Sequence, residues 1–251
     1  MKKILLVRHG ETFQNRNRVV QGMHPNQGRL TEKGFRQAEL LGEALVDHPI
    51  DIVFCSPLER AVLTMAKILN PRKGELTLPI VFSDDLKEIN LGVLQGKPHT
   101  VWHAQNPDRA VDFIPEGGES WLDVQRRSSA YYQKQILTRE HKNILIVAHG
   151  GVNRGILSDV LGLSMAQCWE GRGVGTPQDN TCINVLEYGT PETNGDGALT
   201  RAHINDTSHL MGHFEEASAG QLWQMKEQSW QVLDSNGGRG DWLGSSGGHS
   251  G

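Results

Sequence analysis

Two stretches of the chain share one pattern of apolar and polar positions. Residues 4–10 read ILLVRHG and residues 144–150 read ILIVAHG, so each apolar run leads into a His-Gly pair. Unbroken runs of branched apolar residues are typical of strands that are buried on both faces of a parallel sheet. Open α/β sheets bind their ligands beyond the carboxyl ends of such strands. We therefore expect the imidazoles of His9 and His149 to face one pocket.

The rest of the apolar pattern predicts strands that alternate with helices. Further strands are predicted at residues 51–55, 78–82, 181–188 and 199–204. Helices are predicted at residues 31–47, 58–69, 119–140 and 151–161, the first of them capped by Thr31. Segments 13–30 and 84–118 are polar or rich in Gly and Pro, and are predicted to be irregular. Alternating strands and helices indicate an α/β fold with a doubly wound sheet.

The character of the chain changes beyond residue 210. We predict one domain over residues 1–211 and a distinct C-terminal segment over residues 212–251. Apolar residues in 214–233 fit one amphipathic helix, and residues 235–251 are rich in Gly and Ser, which predicts a flexible tail. Two exposed tryptophans on that helix would form a packing surface that suits a homodimer.

Composition and charge narrow the range of partners. The net charge of −4 over 251 residues gives no reason to expect nucleic acid or an anionic membrane as a partner. Cys55, Cys168 and Cys182 are an odd, widely spaced set that signals neither a disulfide framework nor a metal site. Too few apolar residues precede Arg8 for a signal peptide, and no apolar run reaches membrane-spanning length. We expect a cytoplasmic protein with reduced thiols and no metal.

Two arginines follow predicted strands at the same rim. Arg8 directly precedes His9, and Arg60 lies in SPLERA (residues 56–61) at the start of a predicted helix. A helix N-terminus favours anions, and guanidinium groups match phosphate or carboxylate oxygens in pairs. Together with Asn15 in the following loop, these groups predict a donor-rich anion site. Taken singly, Arg60 is more typical of a solvated helix residue, and a histidine at a strand end is more typical of a surface or hydrogen-bonded residue.

In this order, the motifs resemble those of the histidine phosphatase superfamily, the phosphoglycerate mutase-like proteins. The matching segments are RHGET (8–12) with Asn15, SPLERA (56–61) with Thr64, LKEINLGVLQGK (86–97), GGES (117–120), HGG (149–151), NTCI (180–183) and IND (204–206). The likeness covers residues 1 to about 210. It implies a three-layer α/β/α sandwich with a mostly parallel central sheet. It also implies a metal-independent phosphomonoesterase, a histidine acid-type phosphatase, that needs no cofactor.

The resemblance assigns a role to each site residue. His9 would be the nucleophile that takes the phosphoryl group, and Glu88 would protonate the leaving oxygen. The implied phosphate-binding set is Arg8, Asn15, Gln21, Gly22, Arg60, His149 and Gly150. Asp85 and Glu11 stay open as alternative acids. The chain departs from the family at 93–95, where Val-Leu-Gln replaces the aromatic and acidic residues that are common there.

The chemistry of these residue types agrees with the implied roles. Attack requires a neutral His9, and nearby guanidinium charges disfavour the imidazolium form and so lower its pKa. Arg8, Arg60 and His149 would hold the three equatorial oxygens of the transferring group and stabilise its charge. Glu88 would then work in reverse and deprotonate the water that attacks the phosphohistidine.

Three functions remain open at this stage. About 60 residues separate Glu88 from His149, which is short for a mutase that must shield its phosphoenzyme from water. We therefore favour a phosphatase acting on a small phosphorylated metabolite, such as a sugar phosphate, a phosphoglycerate derivative, phosphoserine or a nucleotide-loop intermediate. A bisphosphoglycerate-dependent mutase is the alternative, and a non-catalytic phospho-ligand module the second alternative. Trp102, His103 and Trp121 would line the entrance, unless Trp121 belongs to the core.

Overall fold

The computed structural model describes residues 1–24, 28–72, 78–169, 175–189, 197–215, 217–218, 220–226, 229–233 and 239–240. The strands are β1 (Lys2–Arg8), β2 (Ile52–Cys55), β3 (Ile80–Phe82), β4 (Asn143–Ala148), β5 (Ile183–Tyr188), β6 (Leu199–Asp206), β7 (Gln221–Lys226), β8 (Ser229–Leu233) and β9 (Arg239–Gly240). The helices are α1 (Phe13–Asn17), α2 (Glu32–Leu45), α3 (Glu59–Leu69), α4 (His99–Gln105), α5 (Trp121–Tyr131), α6 (Gly150–Leu161) and α7 (Met165–Trp169). Shorter 3₁₀ turns lie at Asp84–Leu86, Gly92–Leu94 and Ser208–Leu210, and a π-helical turn at Tyr132–Ile136 follows α5.

All the described strands belong to one sheet in the order β3-β2-β4-β1-β5-β6-β7-β8-β9. Strands β3, β2, β4 and β1 are parallel neighbours. Strand β5 is antiparallel to both β1 and β6, so it alone reverses direction among β1 to β6. The prediction of a mostly parallel sheet is confirmed for these six strands, whereas β7 to β9 continue the sheet with antiparallel pairs.

Helices cover both faces of the sheet. Alternate residues of β1 point to opposite sides, because successive side chains of a strand do so. Ile4 and Leu6 pack in the core that contains residues of α5 and α6, whereas Leu5 and Val7 pack in the core that contains residues of α2 and α3. Each fully buried aliphatic side chain stabilises the fold by about 1.5–3 kcal/mol. The three-layer α/β/α arrangement is therefore confirmed.

The pairing of β1 with β4 brings the two His-Gly pairs to one rim. The register aligns Arg8 with Ala148, the last residues of the two strands. The backbone N–H of His9 continues this ladder by donating to the carbonyl of Ala148 at 3.2 Å. His9 and His149 therefore leave adjacent parallel strands at the same level.

The predicted helix at 214–233 is wrong. Strands β7 and β8 occupy residues 221–226 and 229–233, and β7 pairs with the edge strand β6. In the hairpin register, Leu222 pairs with Leu233 and Met225 pairs with Trp230. The homodimer prediction thus loses the helical surface on which it was based. Of the predicted tail at 235–251, residues 239–240 form β9, and the rest lies outside the described residues.

Smaller differences affect the helices and loops. The predicted helix at 119–140 is shorter: Ser120 caps α5, and the π-helical turn ends at Ile136. The segments predicted to be irregular contain the short helices α1 and α4. Thr31 caps α2 as predicted, accepting a hydrogen bond from the Gly34 N–H at 3.0 Å. Within the described ranges, no helix is both long and apolar enough to cross a membrane.

Candidate active site

The two histidine rings lie next to each other inside the protein. Their centroids are 5.1 Å apart and their planes are inclined by 57°. Only 2% of His9 and none of His149 is exposed. The repeated apolar pattern of β1 and β4 therefore does bring two imidazoles to one place, as the sequence predicts.

Local contacts fix the tautomer of His9. Its Nδ1 lies 2.7 Å from the carbonyl oxygen of Gly10, an acceptor, so Nδ1 carries the proton and Nε2 keeps its lone pair. The Gly10 N–H in turn donates to the Thr64 hydroxyl at 3.0 Å. Burial, with smaller effects from Arg60 and Arg8, holds the pKa of His9 well below its usual range. His9 is therefore a neutral, oriented base.

His149 is held in the complementary way. The Nε–H of Arg60 donates to its Nδ1 at 3.1 Å, so the proton of the neutral ring is on Nε2 and points to the Ser56 hydroxyl at 2.8 Å. Burial and then the charge of Arg60 keep the pKa of His149 well below its usual range. Ser56 belongs to the SPLERA motif, but sequence reasoning gave it no role.

Arg60 is not a solvated helix residue, because only 1% of it is exposed. Besides its bond to His149, it donates from Nη2 to the carbonyl of Gly22 at 2.8 Å. Gly22 has a φ of +55°, and a Cβ there would lie 2.1 Å from Oε1 of Gln95. Desolvation lowers the pKa of Arg60 to about 10, a value at which the guanidinium is still charged at neutral pH.

A cavity of about 290 Å³ opens beside His9. Its lining residues are Arg8, His9, Asn15, Val19, Val20, Gln21, Gly22, Glu88, Ile89, Leu91, His99, Trp102, Trp121, Gly150, Gly151, Arg154, Trp169 and Gln178. Most of the predicted site residues are therefore on its wall. Arg60 and His149 do not line the cavity but are buried next to it. Their described hydrogen bonds join them to each other, to Ser56 and to Gly22.

The segment after β1 carries three of the predicted phosphate ligands, Asn15, Gln21 and Gly22. Thr12 and Asn15 form a capping box at the start of α1, and Asn15 Oδ1 also accepts from Asn180 Nδ2 at 3.2 Å. Gln21 Oε1 accepts from the Thr12 hydroxyl at 3.3 Å. The Nε2 of Gln21, a residue of the cavity wall, is buried without a hydrogen-bond partner in the described chain.

Glu88 is the one of the three candidate acids that lines the cavity. Its Oε2 accepts from the Gly151 N–H at 3.2 Å, in the first turn of α6, where the helix dipole favours a carboxylate. Asp85 Oδ2 instead faces the Ser83 hydroxyl, and Glu11 accepts from the Thr31 hydroxyl at 2.8 Å. The geometry thus favours Glu88 over both alternatives.

A partly buried ion pair holds the Glu88 segment in place. Arg127 Nη2 donates to the Glu88 carbonyl at 3.2 Å, and to Glu119 Oε1 at 2.9 Å. Arg127 Nε donates to the other oxygen of Glu119 at 3.1 Å, which makes the pair bidentate. The same Glu119 Oε1 accepts from the Asn90 N–H at 2.9 Å. Glu119 belongs to the GGES motif, so this motif joins the segment of Glu88 to the start of α5.

Several wall residues were missed by the sequence reasoning. Arg154 follows Gly150 by one helical turn, so helix periodicity alone would have placed it near the site. Gln178, whose carbonyl accepts from Arg8 Nη1 at 2.5 Å, and Trp169 lie in segments without a periodic signal. Trp121 is both core and wall, because it is 8% exposed and lines the cavity.

The remaining aromatic and thiol groups have simpler surroundings. Trp102 lines the cavity, whereas His103 packs against its ring with centroids 4.9 Å apart. The three cysteines are buried and do not pair with one another. In the described part of the chain, no group of three or more His, Cys, Asp or Glu side chains is arranged to hold a metal ion.

Comparison with known proteins gives consistent matches. The chain is 33% identical over 221 residues to a probable 2-carboxy-D-arabinitol-1-phosphatase of Arabidopsis thaliana, covering 84% of this chain and 43% of that protein. It therefore spans less than half of that relative. It is 34% identical over 166 residues to a 2,3-bisphosphoglycerate-dependent phosphoglycerate mutase of Cytophaga hutchinsonii, covering 62% and 76%.

A solved structure and a family match complete the comparison. A mycobacterial glucosyl-3-phosphoglycerate phosphatase in complex with VO3 has a TM-score of 0.61 and 28% identity, covering 74% of this chain and 93% of that one. A sequence model described as the histidine phosphatase superfamily (branch 1) matches residues 4–195. This stretch includes His9 and His149, Arg8 and Arg60, and Glu88. The chain belongs to the histidine phosphatase superfamily.

Proposed function

We propose that this chain is a phosphomonoesterase that hydrolyses a small phosphorylated metabolite through a phosphohistidine on His9. The observation that carries the proposal is the state of His9. Its Nδ1–H is bonded to Gly10, its ring is neutral, and it lines a cavity that Arg8 shares. A neutral imidazole with a free Nε2 lone pair, next to guanidinium groups, is suited to attack a phosphoryl group.

In the first displacement, His9 Nε2 attacks phosphorus as the bond to the ester oxygen breaks. The electron pair of that bond goes to the leaving oxygen, and the carboxyl of Glu88 supplies the proton. Arg8, whose Nε has no protein partner in the described chain, neutralises charge on the transferring group, and the buried charge of Arg60 adds to the field.

In the second displacement, water attacks the phosphohistidine and the P–N bond breaks. Glu88, now ionised, takes the proton from the attacking water, while His9 recovers its lone pair as phosphate forms. The Gly151 N–H donates to this carboxylate and holds it beside the cavity. Each residue thus returns to its starting protonation state.

The test is a phosphate-release screen over a metabolite panel, combined with detection of acid-labile phosphate on the protein. His9→Ala is expected to abolish both signals, whereas His48→Ala, which removes an exposed imidazole, keeps both. Undiminished turnover in His9→Ala would refute the proposal. A screen in which no phosphomonoester is cleaved and no phosphoprotein forms would favour the non-catalytic alternative.

The similarity to the Cytophaga hutchinsonii mutase supports a second candidate, a bisphosphoglycerate-dependent mutase. The two reactions differ in the fate of the phosphohistidine, which passes to water in one and to a second sugar-acid hydroxyl in the other. Incubation with 3-phosphoglycerate and 2,3-bisphosphoglycerate separates them. We expect phosphate release to be faster than formation of 2-phosphoglycerate, and the opposite ratio would favour the mutase.

A further inference from the structure

Arg154 forms a wall of the cavity that the proposed reaction does not use. It lies on α6, one turn after Gly150, and its Nη1 donates to the Gly150 carbonyl at 3.3 Å. Its guanidinium lies over the ring of Trp169 at 4.0 Å, and Trp169 packs against Trp121 with centroids 4.7 Å apart. Stacking and one hydrogen bond therefore fix the guanidinium plane, which lowers the entropy loss on binding a ligand.

Several residues that line this cavity carry unpartnered donors. Four of its lining residues have a buried N–H group without a hydrogen-bond partner in the described chain: Arg8 Nε, Gln21 Nε2, Trp102 Nε1 and Arg154 Nε. Buried polar groups normally have partners, since an unsatisfied donor costs about 1–3 kcal/mol. All four groups are hydrogen-bond donors. A phosphoryl group bound by Arg8 and Gln21 would leave the donors of Trp102 and Arg154 without acceptors. The cavity therefore fits a ligand that carries further oxygen acceptors.

The balance of charge points to a second anionic group. Arg8, Arg60 and Arg154 carry three positive charges, and burial lowers the pKa of Arg154 to about 10, so it is charged at neutral pH. Glu88 is the carboxylate on the described wall, but in the proposed first step it is protonated. A phosphomonoester brings about two negative charges. One guanidinium is then left without a counter-charge in a buried site.

Arg154 is the guanidinium that lacks a counter-charge when a phosphomonoester is bound. Arg60 has its Nε and Nη2 engaged with His149 and Gly22, and Arg8 is adjacent in sequence to the nucleophile. Arg154 presents an unpartnered Nε on a guanidinium that stacks on the Trp169 ring, and a planar guanidinium matches a carboxylate with two parallel hydrogen bonds.

We propose that Arg154 is a specificity-determining residue that binds a carboxylate on the part of the substrate remote from phosphorus. This rests on the proposed phosphomonoesterase function and specifies its substrate class, the phosphomonoesters of hydroxy acids and amino acids. The competing role for Arg154 is a further contact to the phosphoryl group. That role has a geometric basis, because a Cβ on Gly150 would lie 3.3 Å from Arg154 Nη1 and 3.6 Å from Arg8 Nε.

Two pairs of compounds that differ in one carboxylate separate these roles. 3-Phosphoglycerate is compared with glycerol 3-phosphate, and phosphoserine with phosphoethanolamine. For each compound we would measure kcat/KM, together with its inhibition constant against p-nitrophenyl phosphate. The wild-type protein is expected to favour the carboxylate member of each pair by about 10- to 100-fold, the range of one charge-assisted hydrogen bond.

Three variants test whether Arg154 causes the preference. Arg154→Met should reduce it to about one, with the loss falling on 3-phosphoglycerate and phosphoserine much more than on glycerol 3-phosphate and phosphoethanolamine. Arg154→Lys should restore part of it, because the charge is kept but the planar fork is lost. Arg126→Met, which removes an exposed arginine of α5, should behave as wild type. Thermal unfolding of each variant checks that Arg154→Met is folded.

The outcomes distinguish this inference from the function on which it rests. If p-nitrophenyl phosphate and the panel are not cleaved and His9 is not labelled, the proposed function fails. If they are cleaved but the carboxylate members are not preferred, the inference fails and the function stands. Equal losses for both members of a pair in Arg154→Met, together with weaker phosphate inhibition, would place Arg154 on the phosphoryl group and also overturn the inference.

Discussion

Gly151 is the position at which one added methyl group would disturb the proposed acid most directly. Its N–H donates to Glu88 Oε2 at 3.2 Å. A Cβ on this residue would lie 2.2 Å from Cζ3 of Trp121 and 2.4 Å from Oε1 of Glu88. Both distances are far below van der Waals contact, so Gly151→Ala must displace one of these side chains.

The carboxylate is the group that moves. Trp121 is 8% exposed and packs against Trp169, whereas Glu88 ends in a flexible side chain that faces the cavity. A displacement of about 1 Å can lower a rate about 100-fold, and loss of general acid catalysis lowers it about 100- to 10,000-fold. We expect kcat/KM for alkyl phosphates to fall about 100-fold, which corresponds to about 2.7 kcal/mol. Overpacking should also lower the free energy of unfolding by about 1–3 kcal/mol.

Single-turnover labelling of His9 measures this effect before the second displacement. With an alkyl phosphate, whose leaving oxygen needs a proton, Gly151→Ala and Glu88→Gln should both slow labelling strongly. With p-nitrophenyl phosphate, whose leaving group is stable as an anion, both should slow it much less. Asp159→Ala, on the exposed side of α6, should match wild type. Equal losses of Gly151→Ala on both substrates would refute the assignment of Glu88 as the acid that Gly151 positions.

Two further predictions concern stability. Since the pKa values of His9 and His149 are well below 6.5 in the folded state, the unfolded chain binds protons that the folded chain excludes. The stability that these two histidines contribute is fully present above pH 6.5. At pH values under 6.5, the free energy of unfolding should decrease by about 2.7 kcal/mol for each pH unit. Urea unfolding at pH 7.5 and 5.5 measures this, and equal values would contradict it. Tyr132→Phe removes the buried hydrogen bond between the hydroxyls of Tyr132 and Tyr188 (2.6 Å). This variant should lower the free energy of unfolding by about 1 kcal/mol in the same assay, and an unchanged value would contradict the prediction.

The first six strands could be predicted because their sequence pattern admits one interpretation. The apolar run of β1 is too short for a buried helix, and His-Gly ends it abruptly. The C-terminal hairpin could not be predicted, since apolar residues such as Leu222, Met225 and Leu233 fit helical spacing as well as strand pairs. Only the free edge of β6, a tertiary feature, decides in favour of strands.

The site shows the same limit. His9, Arg60 and His149 follow strands whose carboxyl ends share a rim, so sheet topology alone predicts that they lie together. Arg154 and Trp169 become neighbours through the packing of α7 on α6, which no local pattern encodes. The hydrogen bond between Arg60 and His149 was also not predicted, because the resemblance directs both side chains to a bound phosphate and not to each other.

The backbone bond from His9 to Ala148 would make the proposed activity an indicator of assembly at the centre of the sheet. It continues the pairing of β1 with β4, two strands that are far apart in the sequence. Contacts between such distant segments form late when loop closure limits the folding rate. Neither β1 nor β4 carries both rings, so a partly assembled sheet has no reactive pair. Recovery of phosphohistidine formation during refolding would therefore report the moment at which the centre of the sheet closes.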